Sequence, residues 1–217
     1  MEKQITCPGC KTILTYKLTT PIAIRCNACT SVFFLEKDGD NATFVKKYYV
    51  PPVDRSVLKL NARGKYQNKN FELIGRIRSV NTFAISNEWL MYFQDGSYMW
   101  LAENSACYFI VSVQPISLKS VDLKGKKAGK ILRIKEQEYT ITEISKQQSF
   151  EIEGEIPLDC YTDEKLFKYE LIASSKNNEF ATVVFYERDL IEAYLSTSVE
   201  LSSLNLKGIN EFKDWID

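Results

Sequence analysis

Apolar and polar residues alternate in short runs along most of the chain, and the runs are bounded by Gly, Asn, Asp or Pro. A period of two with those boundaries predicts β-strands. The runs fall at residues 71–77, 88–94, 97–103, 106–113, 131–134, 139–144, 150–153, 167–173 and 181–186. Helical spacing is scarce. Residues 188–195 predict a short helix, and Ile209, Phe212 and Ile216, three and four apart, predict a second at the C-terminus. The strongest local signal is Asp95-Gly96 between two aromatic-rich runs, which predicts a hairpin with a two-residue turn. That turn would set Trp89 against Ala102, Met91 against Trp100 and Glu88 against Glu103. Both faces of such a hairpin are apolar, so it should be covered on both sides or form part of a binding surface.

Ahead of these runs lies a different pattern. Cys7-Pro-Gly-Cys10 and Cys26-Asn-Ala-Cys29 are two Cys-x-x-Cys turns separated by fifteen residues, with extended-favouring segments at 12–16 and 22–25 between them. Each turn aims two thiolates at one point, and the spacing is that of a four-cysteine zinc ribbon. Two disulfides or a redox pair are the competing readings. The first needs an oxidising compartment and the second has no use for a second copy. Four thiolates complete a tetrahedral shell, so zinc here would be structural, with no position left for substrate. The chain divides on this reading into a ribbon at 1–36, a linker and connecting strand at 37–52 that ends in Pro51-Pro52, and a β-rich domain at 53–217. The expected fold is mainly β: the ribbon followed by an antiparallel domain of SH3-like, barrel or sandwich type. Gly64-Lys-Tyr66 leading to Phe71-Glu-Leu73 is similar to Gly129-Lys-Ile131 leading to Tyr139-Thr-Ile141, which raises an internal duplication.

Composition narrows the chemistry. Of 217 residues none is histidine, which removes Ser-His and Cys-His nucleophile pairs and imidazole-bound catalytic zinc. Lys plus Arg balances Asp plus Glu at 28 each, so there is no overall attraction to nucleic acid or an anionic membrane. No run of about 18 apolar residues and no leader-like start is present, and the expected location is the cytoplasm.

Three groups of charged residues are candidates for binding. Glu88 and Glu103, with Arg76 or Arg78 on the preceding strand, could be a paired surface or a carboxylate site for a cation, flanked by Trp89 and Trp100. Lys119, Lys124, Lys126, Lys127, Lys130, Arg133 and Lys135 form a basic concentration that could track phosphates, although no aromatic residue is interleaved to stack bases. Glu151, Glu153 and Glu155 alternate as on the solvent face of a strand. Cys107 and Cys160 read as small, buried or half-buried residues.

Gly64-Lys-Tyr66, Gly75-Arg-Ile77, Asn87-Glu-Trp89, Asp95-Gly96, Trp100-Leu-Ala-Glu103 and Gly154-Glu-Ile-Pro157, in that order, give residues 56–206 a pattern that resembles the bacterial family of domain of unknown function 4178, often preceded by a paired-cysteine ribbon. The chain departs from the usual ribbon at Lys11 and Thr30, and from the family after Glu103 at Asn104-Ser105-Ala106, all places where glycine is expected. The resemblance implies architecture and bacterial origin, and no activity. The expected function is that of a non-enzymatic adaptor working through contacts with another protein. A nucleic-acid binder using the ribbon and the Lys119–Lys135 loop, and a carboxylate-based enzyme or sensor of a cationic small molecule, are the alternatives.

Overall fold

The computed structural model describes residues 2–19, 22–35, 42–47, 56–81, 85–119, 127–145, 147–157, 167–174, 179–186 and 191–211. Strands dominate, pairing is antiparallel throughout, and no α-helix occurs among the described residues. In the N-terminal part, β1 (Lys3–Thr6) pairs with β2 (Ile13–Tyr16), and β3 (Ile22–Arg25) pairs with β4 (Ser31–Leu35), which pairs with β5 (Ala42–Lys47). The next strands form a meander: β6 (Arg63–Tyr66), β7 (Lys69–Asn81), β8 (Ile85–Phe93), β9 (Tyr98–Asn104) and β10 (Cys107–Val111). After the short β11 (Ile116–Ser117) come β12 (Ile131–Ile134), β13 (Gln137–Ser145), β14 (Gln147–Pro157), β15 (Phe167–Ser174), β16 (Glu179–Tyr186) and β17 (Ile191–Ser198), then a single 3-10 turn at Leu201–Leu204.

One sheet runs β12-β13-β15-β16-β17-β10-β9-β8-β7-β14-β3-β4-β5. Only residue 146 separates β13 from β14, yet β13 pairs with β15 and β14 pairs with β7. One nearly continuous strand run therefore receives both ends of the ladder β15-β16-β17-β10-β9-β8-β7. The ribbon extends the same sheet, because Glu155, Ile156 and Pro157 of β14 pair with Ile24, Ala23 and Ile22 of β3.

The hydrophobic alternation of each strand sorts its side chains between separate cores. On β8, Trp89, Met91 and Phe93 enter a core with Leu73, Leu101, Ile110 and Leu204, while Leu90 on the other face joins Trp100, Ile152 and the ribbon residues Ile22, Ile24 and Phe33. A third core gathers Leu132, Ile134, Tyr139, Ile141, Val183, Phe185 and Ile191. The aromatic hairpin is thus covered on both faces.

Two expectations from the sequence are overturned. Residues 191–195 are strand, not helix: Ile191, Ala193 and Leu195 face the third core at period two, while Glu192 and Tyr194 share the other face, where the Tyr194 hydroxyl donates to Glu192 Oε2 at 2.7 Å. The β8-β9 turn is one residue longer than predicted. Phe93 N donates to Ser97 O (2.9 Å) and Gly96 N to Phe93 O (3.0 Å), so Gln94, Asp95 and Gly96 form a three-residue loop with Gly96 at φ +84°. Asp95 fixes this geometry by accepting from Ser97 N at 3.0 Å while Lys69 pairs with its other oxygen at 2.7 Å. The added residue moves Ala102 opposite Glu88 and Glu103 opposite Asn87, which puts the two glutamates on opposite faces. Of the expected C-terminal helix, Ile209 is not helical and residues 212–217 lie outside the described residues.

Candidate functional site

The two cysteine turns are built alike. Cys7 N donates to Thr12 O and Lys11 N to Cys7 O; Cys26 N donates to Ser31 O and Thr30 N to Cys26 O, all between 2.8 and 3.0 Å. Closing each loop requires a left-handed residue after its second cysteine, and Lys11 (φ 66°) and Thr30 (φ 60°) take that conformation without being glycine. The result brings Cys7 Sγ within 3.7 Å of Cys29 Sγ and Cys10 Sγ within 3.7 Å of Cys26 Sγ, with all four sulfurs inside 4.8 Å of one another. A disulfide needs about 2.05 Å, so these are four free thiols gathered on one point, as a metal requires. The Ser31 hydroxyl, 3.2 Å from Cys29 Sγ, holds that thiol down at about 6, and Thr12 lowers Cys10. Burial pushes the Cys26 thiol up to about 12.

The ribbon is held to the main sheet by three carboxylates as well as by the β3-β14 ladder. Glu155, only 7% exposed, accepts the backbone N–H groups of Lys17 (2.8 Å) and Leu18 (2.8 Å). Glu72 of β7 takes the Lys17 ammonium at 2.5 Å, and Glu153 bridges Arg25 of β3 (3.2 Å) and Arg76 of β7 (2.6 Å). Alternation had assigned Glu153 and Glu155 to solvent. The ribbon covers that stretch, bringing the Arg25 guanidinium to Glu153 and the Lys17 and Leu18 N–H groups to Glu155. Burial raises the Glu155 carboxyl, against the lowering by its two N–H donors.

The candidate charged residues of the hairpin divide between its faces. Glu88 is exposed and Trp100 is buried in the core shared with the ribbon. On the opposite face Arg76, Trp89 and Glu103 come together, with the Arg76 guanidinium 4.8 Å from the centre of the Trp89 ring. Glu103 is 8% exposed, and its Oε2 accepts from Ser56 Oγ (2.6 Å), Asn87 Nδ2 (2.9 Å) and Trp89 Nε1 (3.0 Å). Burial and the neighbouring Glu103 push the Tyr108 phenol up to about 12. Neutral donors therefore satisfy Glu103 within the fold, and an incoming cation would have to displace them. Ser56 and Tyr108 carried no sequence signal for this cluster, because the first is distant in sequence and the second was indistinguishable from core. Asn87 lies opposite Glu103 in the corrected β8-β9 register, and Arg78 lies opposite Asn87 on β7.

In the basic segment, the side chains of Lys127, Lys130, Arg133 and Lys135 are exposed, Arg133 pairs with Glu138 at 2.5 Å, and residues 120–126, including Lys124 and Lys126, lie outside the described residues. Cys107 is exposed, contrary to expectation, because it ends the tight β9-β10 turn; Cys160 lies outside the described residues. No helix among the described residues is long and apolar enough to cross a membrane. No protein-family model, curated protein or solved structure matches the chain.

Proposed function

We propose that the chain is a non-enzymatic adaptor of the domain of unknown function 4178 type, in which structural zinc fixes a ribbon against a β domain that works through contacts with another protein. The observation that carries the reading is the spacing of the four sulfurs. A tetrahedral ion with Zn–S bonds of about 2.3 Å has sulfur–sulfur edges of about 3.8 Å, and two of the edges here are 3.7 Å. Cys7, Cys10, Cys26 and Cys29 would all be ligands, so the ion would supply fold stability and have no open position for chemistry. The hydrogen bonds that Ser56, Asn87 and Trp89 already give Glu103 point the same way.

The test is capture of partners from the native host with the intact protein and with Cys7→Ser/Cys10→Ser, alongside metal analysis of both. One zinc per chain and a partner retained only by the intact protein are expected. A metal-free wild-type protein, or no stable partner, would contradict the reading.

A further inference from the structure

The two cysteine turns share one more feature. The residue two places after each second cysteine carries a hydroxyl: Thr12 follows Cys10 and Ser31 follows Cys29. Each of these residues closes its turn through the backbone, its carbonyl accepting from Cys7 N or Cys26 N at 2.8 Å, and that closure sets the hydroxyl beside a sulfur. Thr12 Oγ1 is 3.3 Å from Cys10 Sγ, and Ser31 Oγ is 3.2 Å from Cys29 Sγ. The sulfurs so served belong to the two cysteines that solvent reaches. Cys10 is exposed and Cys29 half-buried, whereas Cys7 and Cys26 are fully buried. The two hydroxyls differ in setting. Thr12 is exposed and can trade its sulfur for water. Ser31 is 2% exposed, and Cys29 Sγ is the one hydrogen-bond partner of its hydroxyl among the described residues. That hydroxyl also lies against the opposite turn, where a methyl group on Gly9 would come within 3.0 Å of it.

A free thiol can give its own proton to a hydroxyl oxygen. A thiolate that ligates a metal has no proton, so the same contact can then run only from O–H to sulfur. We infer that Thr12 and Ser31 are hydroxyl donors to metal-bound thiolates at Cys10 and Cys29, and that they slow the attack of these two sulfurs on electrophiles. A donated hydrogen bond draws charge off the sulfur, and nucleophilicity falls with that charge. Ser31 is the stronger of the two, because no water competes for a hydroxyl buried between the turns. The inference rests on the reading of the four cysteines as metal ligands.

The test loads the full chain and its Ser31→Ala, Thr12→Val and Ile22→Val variants with cobalt(II) for spectroscopy, and with zinc for reaction with iodoacetamide, in which a sulfur displaces iodide and the metal is released. Losing a donor raises the energy of the sulfur electrons. The thiolate-to-cobalt charge-transfer band should therefore move to longer wavelength in Ser31→Ala, and less far in Thr12→Val. Ser31→Ala should also release zinc to iodoacetamide at least about threefold faster, with Cys29 the first cysteine alkylated. Ile22→Val trims the same ribbon core and keeps both hydroxyls, so it should leave the band in place. An unmoved band in Ser31→Ala, or an equal shift in Ile22→Val, overturns the inference. If Ser31→Ala does not fold, Thr12→Val, at an exposed position, decides the matter in the same way. A wild-type chain that takes up neither metal would overturn the zinc reading and this inference with it.

Discussion

At the scale of single residues, the left-handed positions show where this chain works against its own backbone. Thr30 at φ 60° is β-branched in a conformation that L-residues avoid at a cost of about 1–2 kcal/mol. Thr30→Gly should raise stability by about 1 kcal/mol, part of the relief being offset by the greater freedom of glycine in the unfolded chain; a urea melt of the metal-loaded protein measures it. Ser105 (φ 50°) and Ala106 (φ 62°) form a two-residue turn between β9 and β10, again without glycine. These departures were visible in the sequence because the expected glycines were missing, and the structure gives their physical content as stored strain. Tyr108 gives a pH prediction. Its folded-state ionisation is pushed to about 12 from an ordinary value of 10.0. The folded chain then holds the phenolic proton after the unfolded chain has lost it. Its stabilising contribution is complete below pH 10 and declines as pH rises towards 12. Titration of tyrosine absorbance should show a phenol ionising near 12 that disappears in Tyr108→Phe, and no such change on substitution would refute the burial of this phenol beside Glu103.

At the scale of strands, what was legible in the sequence is what period two and turn chemistry encode. Each central run of apolar alternation became a strand, and Asp95-Gly96 became a turn. Register was not legible, since a two-residue and a three-residue loop fit the same Asp-Gly, and the choice rests on Phe93, Ser97 and Lys69 contacts that spacing does not reveal. That single residue moved Glu103 away from Glu88 and onto Asn87 and Trp89. The misread 191–195 segment has the same origin: a short run is ambiguous between periods until its neighbours β16 and β10 are known. Gly75 was read from the sequence as a bulge or a close backbone approach, and it is both. The β7-β8 register shifts between Leu73 and Gly75, and a methyl group at Gly75 would collide with the Glu155 carbonyl oxygen. Gly154 (φ 66°) closes on Ile74 from the other strand. Gly75→Ala should therefore push β14 off β7, costing at least about 2 kcal/mol in a denaturant melt, because the obstructing atom is backbone and cannot swing aside. A loss below about 0.5 kcal/mol would show that the strands do not pack this closely.

At the scale of the whole molecule, the ribbon is joined to the rest of the chain by a shared ladder, a shared core and three carboxylates from β7 and β14. The ladder and contacts were hidden from the sequence because Ile22–Arg25 and Gln147–Pro157 are more than a hundred residues apart, and local pattern carries no pairing information. The four sulfurs were legible because metal-ligand spacing is local. Joining the two means that metal bound at Cys7, Cys10, Cys26 and Cys29 stabilises β3, and through β3 the strands that grip it. Glu155→Gln should weaken that transmission: with the amide oxygen in the place of Oε2, the new amide nitrogen takes the place of Oε1, 3.0 Å from Lys17 N, and sets donor against donor there, a conflict of about 1 kcal/mol read as a lower melting temperature with the metal content unchanged. The most direct test is hydrogen exchange of the full chain after loading with zinc and again after chelation. Faster exchange on chelation is expected in β3 and β4 together with β14 and the adjoining half of β7. Faster exchange confined to residues 2–35, or none anywhere, would contradict it.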